Sequence, residues 1–97
     1  MTTLVLAKFA IHDPAGYERY VELATPIFIR EGVNILGNDM SPVALTPDMQ
    51  ADKIVLLEFR DDAHMDAFFK LPDYIEAAKH RLAASKMSGV KFERFAP

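Results

Sequence analysis

The chain has 97 residues, 51% of them hydrophobic, which suits one small domain over residues 1–97 with a single core. Lys and Arg number 11 against 14 Asp and Glu, and a net charge of -3 with no local basic stripe leaves no footprint for a nucleic-acid partner. Cys is 0, so disulfides, thiolate metal sites and cysteine nucleophiles are excluded and the composition fits the cytoplasm.

Thr3 to Ile11 reads as a strand, apolar at Leu4, Val5, Leu6, Phe9 and Ile11 and broken by Lys8. It is too short to span a bilayer and runs into a helix cap with no small-residue cleavage site, so no membrane segment is expected. Asp13 caps a first helix and Pro14 suits its first position, with Tyr17, Tyr20, Val21, Ala24, Ile27 and Phe28 at helical spacing and Gly32 as terminator. Pro26 inside that pattern lacks a donor and predicts a kink or break near Ala24 and Thr25. A short second strand follows over Val33 to Gly37, polar at Asn34. Asn38 to Asp52, holding Pro42 and Pro47, is a long connection that reads as an arm or lid, with Val43 to Leu45 a candidate short strand.

Lys53 to Phe59 is the third strand, with apolar residues on both of its faces. Asp61 or Asp62 then caps a short helix whose expected inner face is Met65, Phe68 and Phe69, and Pro72 interrupts it. A further helical piece starts at Pro72 with Ile75, Ala78 and Leu82 expected to face inward, and Ser88-Gly89 is expected to end it. The last strand, Val90 to Phe95, alternates Val90 and Phe92 with Lys91 and Glu93 and is expected at an exposed edge. The order is βαββαβ. Since the first and third strands lack a wet face and the helices suffice for one layer, a second copy of the chain is expected to cover the other sheet face.

The chain resembles the dimeric α+β barrel superfamily of ferredoxin-like domains, and most nearly the bacterial family labelled as domain of unknown function 1330. The resemblance rests on Asp13-Pro14 through Tyr17 and Tyr20, the Ala24-Thr25-Pro26 step, Glu31-Gly32, the strand Ile54 to Phe59, and Phe68-Phe69-Lys70-Leu71-Pro72-Asp73-Tyr74. One departure is that Gly32 is followed by Val33, where the family commonly has a Gly-Gly pair. The resemblance implies an α+β fold: a four-stranded antiparallel sheet, helices on one face and a second subunit's sheet on the other. The superfamily includes cofactor-free monooxygenases of polycyclic aromatics, haem-degrading enzymes and lactone isomerases, so the fold alone does not choose an activity.

Candidate functional groups are few. His12 at the end of the first strand is a candidate base, and the plainer reading is a surface histidine. Glu58, an acid among aliphatics, is a candidate catalytic carboxylate or else a structural ion pair with Lys8 or Arg94. Tyr17 and Tyr20 offer hydroxyls to an apolar space, Asn34 offers an amide, and Phe68 offers an aromatic wall. The plainer reading makes both tyrosines core filler with wet tips and Asn34 a turn former, and Phe68 serves equally well as core. His64 and His80 fall off the apolar stripes and are expected to be solvated. Neither metal-ligand spacing nor a convincing haem ligand occurs, and no phosphate loop, nicotinamide fingerprint or serine triad is present, so no cofactor is expected. Two functions fit: a homodimeric domain that binds a small apolar or aromatic molecule, extending to a cofactor-independent enzyme of monooxygenase or isomerase type, or a non-catalytic structural or regulatory homodimer.

Overall fold

A computed structural model describes residues 1–97. Strand β1 (Thr3–Ile11) leads into helix α1 (Pro14–Arg30), strand β2 (Asn34–Asp39), strand β3 (Lys53–Phe59), helices α2 (Asp62–Phe69) and α3 (Pro72–Ala84), and strand β4 (Ser85–Glu93). The sheet is antiparallel in the order β2-β3-β1-β4, which is the ferredoxin-like arrangement.

Local signals set the helix ends. Asp13 accepts the Gly16 N–H at 3.2 Å, and Asp61 accepts the His64 N–H at 2.7 Å, so each carboxylate satisfies an orphan donor. Helix α1 stops in a paired backbone cap: Gly32 at φ 70 donates to Ile29 and Val33 donates to Phe28, which places Val33 in the core. Leu71, held extended before Pro72, separates α2 from α3.

Four boundaries differ from expectation. Helix α1 runs unbroken through Pro26, because this residue is exposed and the Glu22 carbonyl it leaves unpaired lies on the wet side, while the Thr25 hydroxyl donates to Val21 at 2.7 Å. Strand β4 begins at Ser85 rather than Val90, since β1 presents nine positions for pairing and Gly89 sits opposite Ala7 within the ladder rather than ending a helix. Strand β2 extends to Asp39, with a register shift between Ile35 and Gly37. Val43 to Leu45 is not a strand: the connection carries one 3-10 turn at Pro47–Met49, tied down by Lys8 Nζ to the Asp48 carbonyl and by Asp52 N–H to Phe9. Leu45 is 95% exposed.

Register divides the sheet into two faces. Ala7, Phe9, Leu57 and Phe59 face the helices and join Tyr17, Ala24, Phe28, Phe68, Tyr74 and Ala77 in the core. The opposite parity carries Leu6, Ile54, Leu56, Val90 and Phe92, a largely apolar surface with no layer over it in the protomer. The buried face of α3 is Tyr74, Ala77 and Ala78, so the expected inward Ile75 and Leu82 point out. Small alanines let α3 pack closely on α1, a contact that the larger side chains would hold apart.

Candidate functional site

Between the sheet and helices α1 and α3 lies a narrow, partly open slot of about 100 Å³, lined by 18 residues of which 14 are hydrophobic. The strands supply Ala7, Phe9, Val55 and Leu57, and the helices supply Tyr17, Tyr20, Ala24, Phe28 and Tyr74. Its small volume follows from the aromatic packing: Tyr17 meets Phe9 at 5.3 Å and Tyr20 at 5.6 Å, and Tyr20 meets Tyr74 at 6.3 Å. Tyr17, Val21, Asn38 and Lys53 also line an open groove of about 840 Å³, so the slot shares a wall with a wider, more polar mouth beside α1.

Few polar groups reach this space. The Tyr20 and Tyr74 hydroxyls share one hydrogen bond at 2.9 Å, and either can be the donor. Burial pushes the Tyr17 phenol up to about 12, partly opposed by the nearby Arg81 charge, and burial likewise raises Tyr20. Lys53, at the start of β3, is 4% exposed, and its ammonium lies 4.8 Å from the centre of the Tyr17 ring with no carboxylate beside it. Burial holds its pKa below the usual lysine value. The Arg81 guanidinium lies 5.7 Å from the centre of the Tyr20 ring, and its Nε is buried without a partner.

The sequence candidates separate. Tyr17 and Tyr20 line the slot; His12, Asn34, Glu58 and Phe68 do not. His12, at the β1–α1 corner, directs Nε2 to the Ala83 carbonyl at 2.9 Å, and the His12 and Asp13 N–H groups both bond Ala84, so this corner satisfies the last turn of α3. Asn34 and Glu58 lie on the sheet face away from the helices, where Glu58 accepts from Asn34 at 2.9 Å and pairs with Arg94 at 2.7 Å. Of the two cations offered for Glu58, Arg94 is the partner, and Lys8 goes to the Asp48 carbonyl. Phe68 stacks on Phe28 at 4.8 Å behind the slot, as core.

His64 corrects the solvated expectation. It is buried, its Nδ1 accepts from the Arg60 N–H at 3.1 Å, and its Nε2 donates to the Glu31 carbonyl at 2.8 Å. It ties α2 to the end of α1, which no spacing within α2 announces. No group of three or more histidine or carboxylate side chains converges to hold a metal ion. Lys53 and Arg81 are the functional candidates that sequence reasoning passed over. Lys53 shares the parity of Leu57 and Phe59, and Arg81 follows Tyr74, Ala77 and Ala78 along one stripe.

The sequence matches, over residues 2–95, the family described as Domain of unknown function (DUF1330). Among solved structures, a Rhodopseudomonas palustris protein of unknown function is similar with a TM-score of 0.85 at 21% identity, over 99% of this chain and 84% of that one. A dimeric ferredoxin-like protein of unknown function from Jannaschia sp. CCS1 gives a TM-score of 0.75 at 16% identity, over 97% and 100% of the two chains. SnoaB, a cofactor-independent oxygenase from Streptomyces nogalater, gives 0.70 at 15% identity, over 99% and 95%. No curated protein matches in sequence. At these identities the structural likeness establishes the fold.

Proposed function

The chain belongs to the DUF1330 family, and from the cleft that its fold builds we propose that it is a homodimeric small-molecule-binding protein whose ligand is an apolar or aromatic ring held between the sheet and helices α1 and α3. The observation that carries this reading is the apolar slot with tyrosine hydroxyls at its wall and a wider mouth beside it, the combination of apolar lining and few polar groups that small-molecule sites use. A slot of about 100 Å³ takes roughly one aromatic ring, and larger parts of a ligand extend into the mouth.

The dimer forms through the apolar sheet face, where Val90, Phe92 and Leu36 are large and exposed in the protomer. The Jannaschia protein, described as dimeric, supports this assembly. A cytoplasmic location is supported by the cysteine-free composition. The reading extends to cofactor-independent chemistry of monooxygenase or isomerase type, with Tyr17 and Tyr20 as the groups that touch the substrate. The support is the fold shared with SnoaB, described as a cofactor-independent oxygenase.

A second reading, a non-catalytic structural or regulatory homodimer, is favoured by one observation: His12, Asn34 and Glu58 are all engaged in contacts that hold the fold together. Val55→Phe, which fills the slot from the sheet side, separates the two readings. Mass spectrometry of ligand retained on native purification, with single-ring probes followed by NMR, should give occupancy in the parent chain that Val55→Phe abolishes while the dimer persists. Probes that perturb no cleft residue in the parent chain overturn the small-molecule reading. Sedimentation velocity at low micromolar protomer tests the dimer, and a stable folded monomer there refutes it.

A further inference from the structure

The slot is apolar, yet the charges it holds are all of one sign. None of its 18 lining residues is acidic, and two, Lys53 and Arg81, are cationic. The chain carries 14 acidic residues against 11 basic ones, so the imbalance inside the slot is not a shortage of carboxylates. Elsewhere cations meet acids in the ordinary way, as Arg30 meets Asp73 at 2.6 Å and Arg94 meets Glu58 at 2.7 Å. In the slot, the ammonium and the guanidinium rest on the faces of Tyr17 and Tyr20. Arg81 makes only a 3.5 Å contact to the Met87 sulfur through Nη1, and its buried Nε has no acceptor. Lys53 is buried without a counter-charge, which is unfavourable and which an aromatic face compensates only in part, while Arg81 is half-buried with its Nε turned inward.

We propose that the slot selects an anionic ligand: an apolar ring bearing a carboxylate, phenolate or enolate oxygen, with the ring against Phe9, Val55 and Leu57 and the oxygen answered by Lys53 and Arg81. This rests on the small-molecule reading above and narrows its ligand class. The hydroxyls agree with the cations in sign. The Tyr17 hydroxyl has no hydrogen-bond partner within the chain, and of the Tyr20 and Tyr74 pair only one proton is used between them, so donors remain free for an anionic acceptor. The nearest acids do not compete: in the mouth, Asp52 accepts from the Ile11 N–H at 2.7 Å and Glu18 is exposed.

The test uses the intact protein and three single-ring probes of nearly equal shape, benzoate, benzamide and benzamidine, with affinities and contact sites read by NMR titration at neutral pH. Benzoate should bind about tenfold more tightly than benzamide and benzamidine least, with perturbations at Tyr17, Tyr20 and Val55. Lys53→Met and Arg81→Met should each erase most of the benzoate preference while leaving benzamide affinity within about twofold. Should either variant fail to fold, the ranking in the parent chain decides. Benzamide binding as tightly as benzoate overturns the anion preference and leaves the cleft reading standing. If none of the three probes perturbs cleft residues at millimolar concentration, the cleft reading itself is overturned.

Discussion

Replacing Phe68 by alanine is expected to cost about 4 kcal/mol, within the roughly 3–5 kcal/mol typical of a buried phenylalanine. Phe68 is 1% exposed, stacks on Phe28 at 4.8 Å with the planes at 15°, and meets Tyr74 at 4.7 Å, Phe69 at 5.4 Å and Phe59 at 5.7 Å. Ring pairs of this kind add about 0.5–1.5 kcal/mol beyond the buried area, and rigid neighbours cannot collapse fully into the hole. For 97 residues the unfolding entropy is about 0.2 kcal/mol/K, so the loss corresponds to about 20 °C in Tm. Urea titrations should show the midpoint falling at constant m. Phe68 lies on the helix side of the sheet, so its penalty should be independent of association. Leu56→Ala, on the opposite sheet face, should instead weaken the dimer and show its cost on dilution. A Phe68→Ala loss below about 1 kcal/mol, or Leu56→Ala with unchanged dimer dissociation, refutes this division of the protein into core and interface.

Glu58→Gln should cost less than about 1 kcal/mol, because the side chain is 13% exposed but its Arg94 partner is mostly in solvent, and probe binding in the slot should not change; lost binding with retained stability would instead place Glu58 in the site. Amide exchange across Met40 to Met49 should be fast wherever a partner chain does not cover it, since the segment's only internal backbone bond is Met49 to Thr46 and Leu45 is fully out in solvent; uniformly slow exchange in the dissociated protein contradicts the arm. Tyr17 rises from 10.0 to about 12 on folding, so above pH 10 the unfolded chain ionises first and stability that is fully present below pH 10 is lost as pH climbs through about 12, with Tyr20 acting in the same direction. Lys53 acts oppositely, its burial penalty easing as pH rises from its lowered folded value toward 10.5. Urea midpoints against pH should therefore fall steeply in the alkaline range, and a Tyr17→Phe variant with an equally steep fall would show that the cause lies elsewhere.

The chain states its local structure openly. Asp13 and Asp61 announce the helix starts because a carboxylate before a helix has a backbone donor to satisfy, and each of them caps in the structure. The two-faced apolar strands Thr3–Ile11 and Lys53–Phe59 announce a sheet needing a cover on each side, and register assigns Phe9, Leu57 and Phe59 to the helices and Leu56 to the open face. The helix pattern offered Tyr17 and Tyr20 as groups of which one could face the sheet, and it took the packed structure to place both at the slot wall. What tertiary structure decided lies where distant segments meet. His64 became a buried tie only because folding brings the Glu31 carbonyl to its Nε2. Helix α3 turned Tyr74, Ala77 and Ala78 inward, instead of Ile75 and Leu82, because close packing on α1 favours small side chains, and hydropathy ranks an exposed leucine above a buried alanine. The same rotation carries Arg81 into the slot, while strand parity carries Lys53 there. A charged residue reads as surface in any one-dimensional pattern, and only the assembled walls show Lys53 buried and Arg81 half-buried against aromatic faces in a slot with no acid.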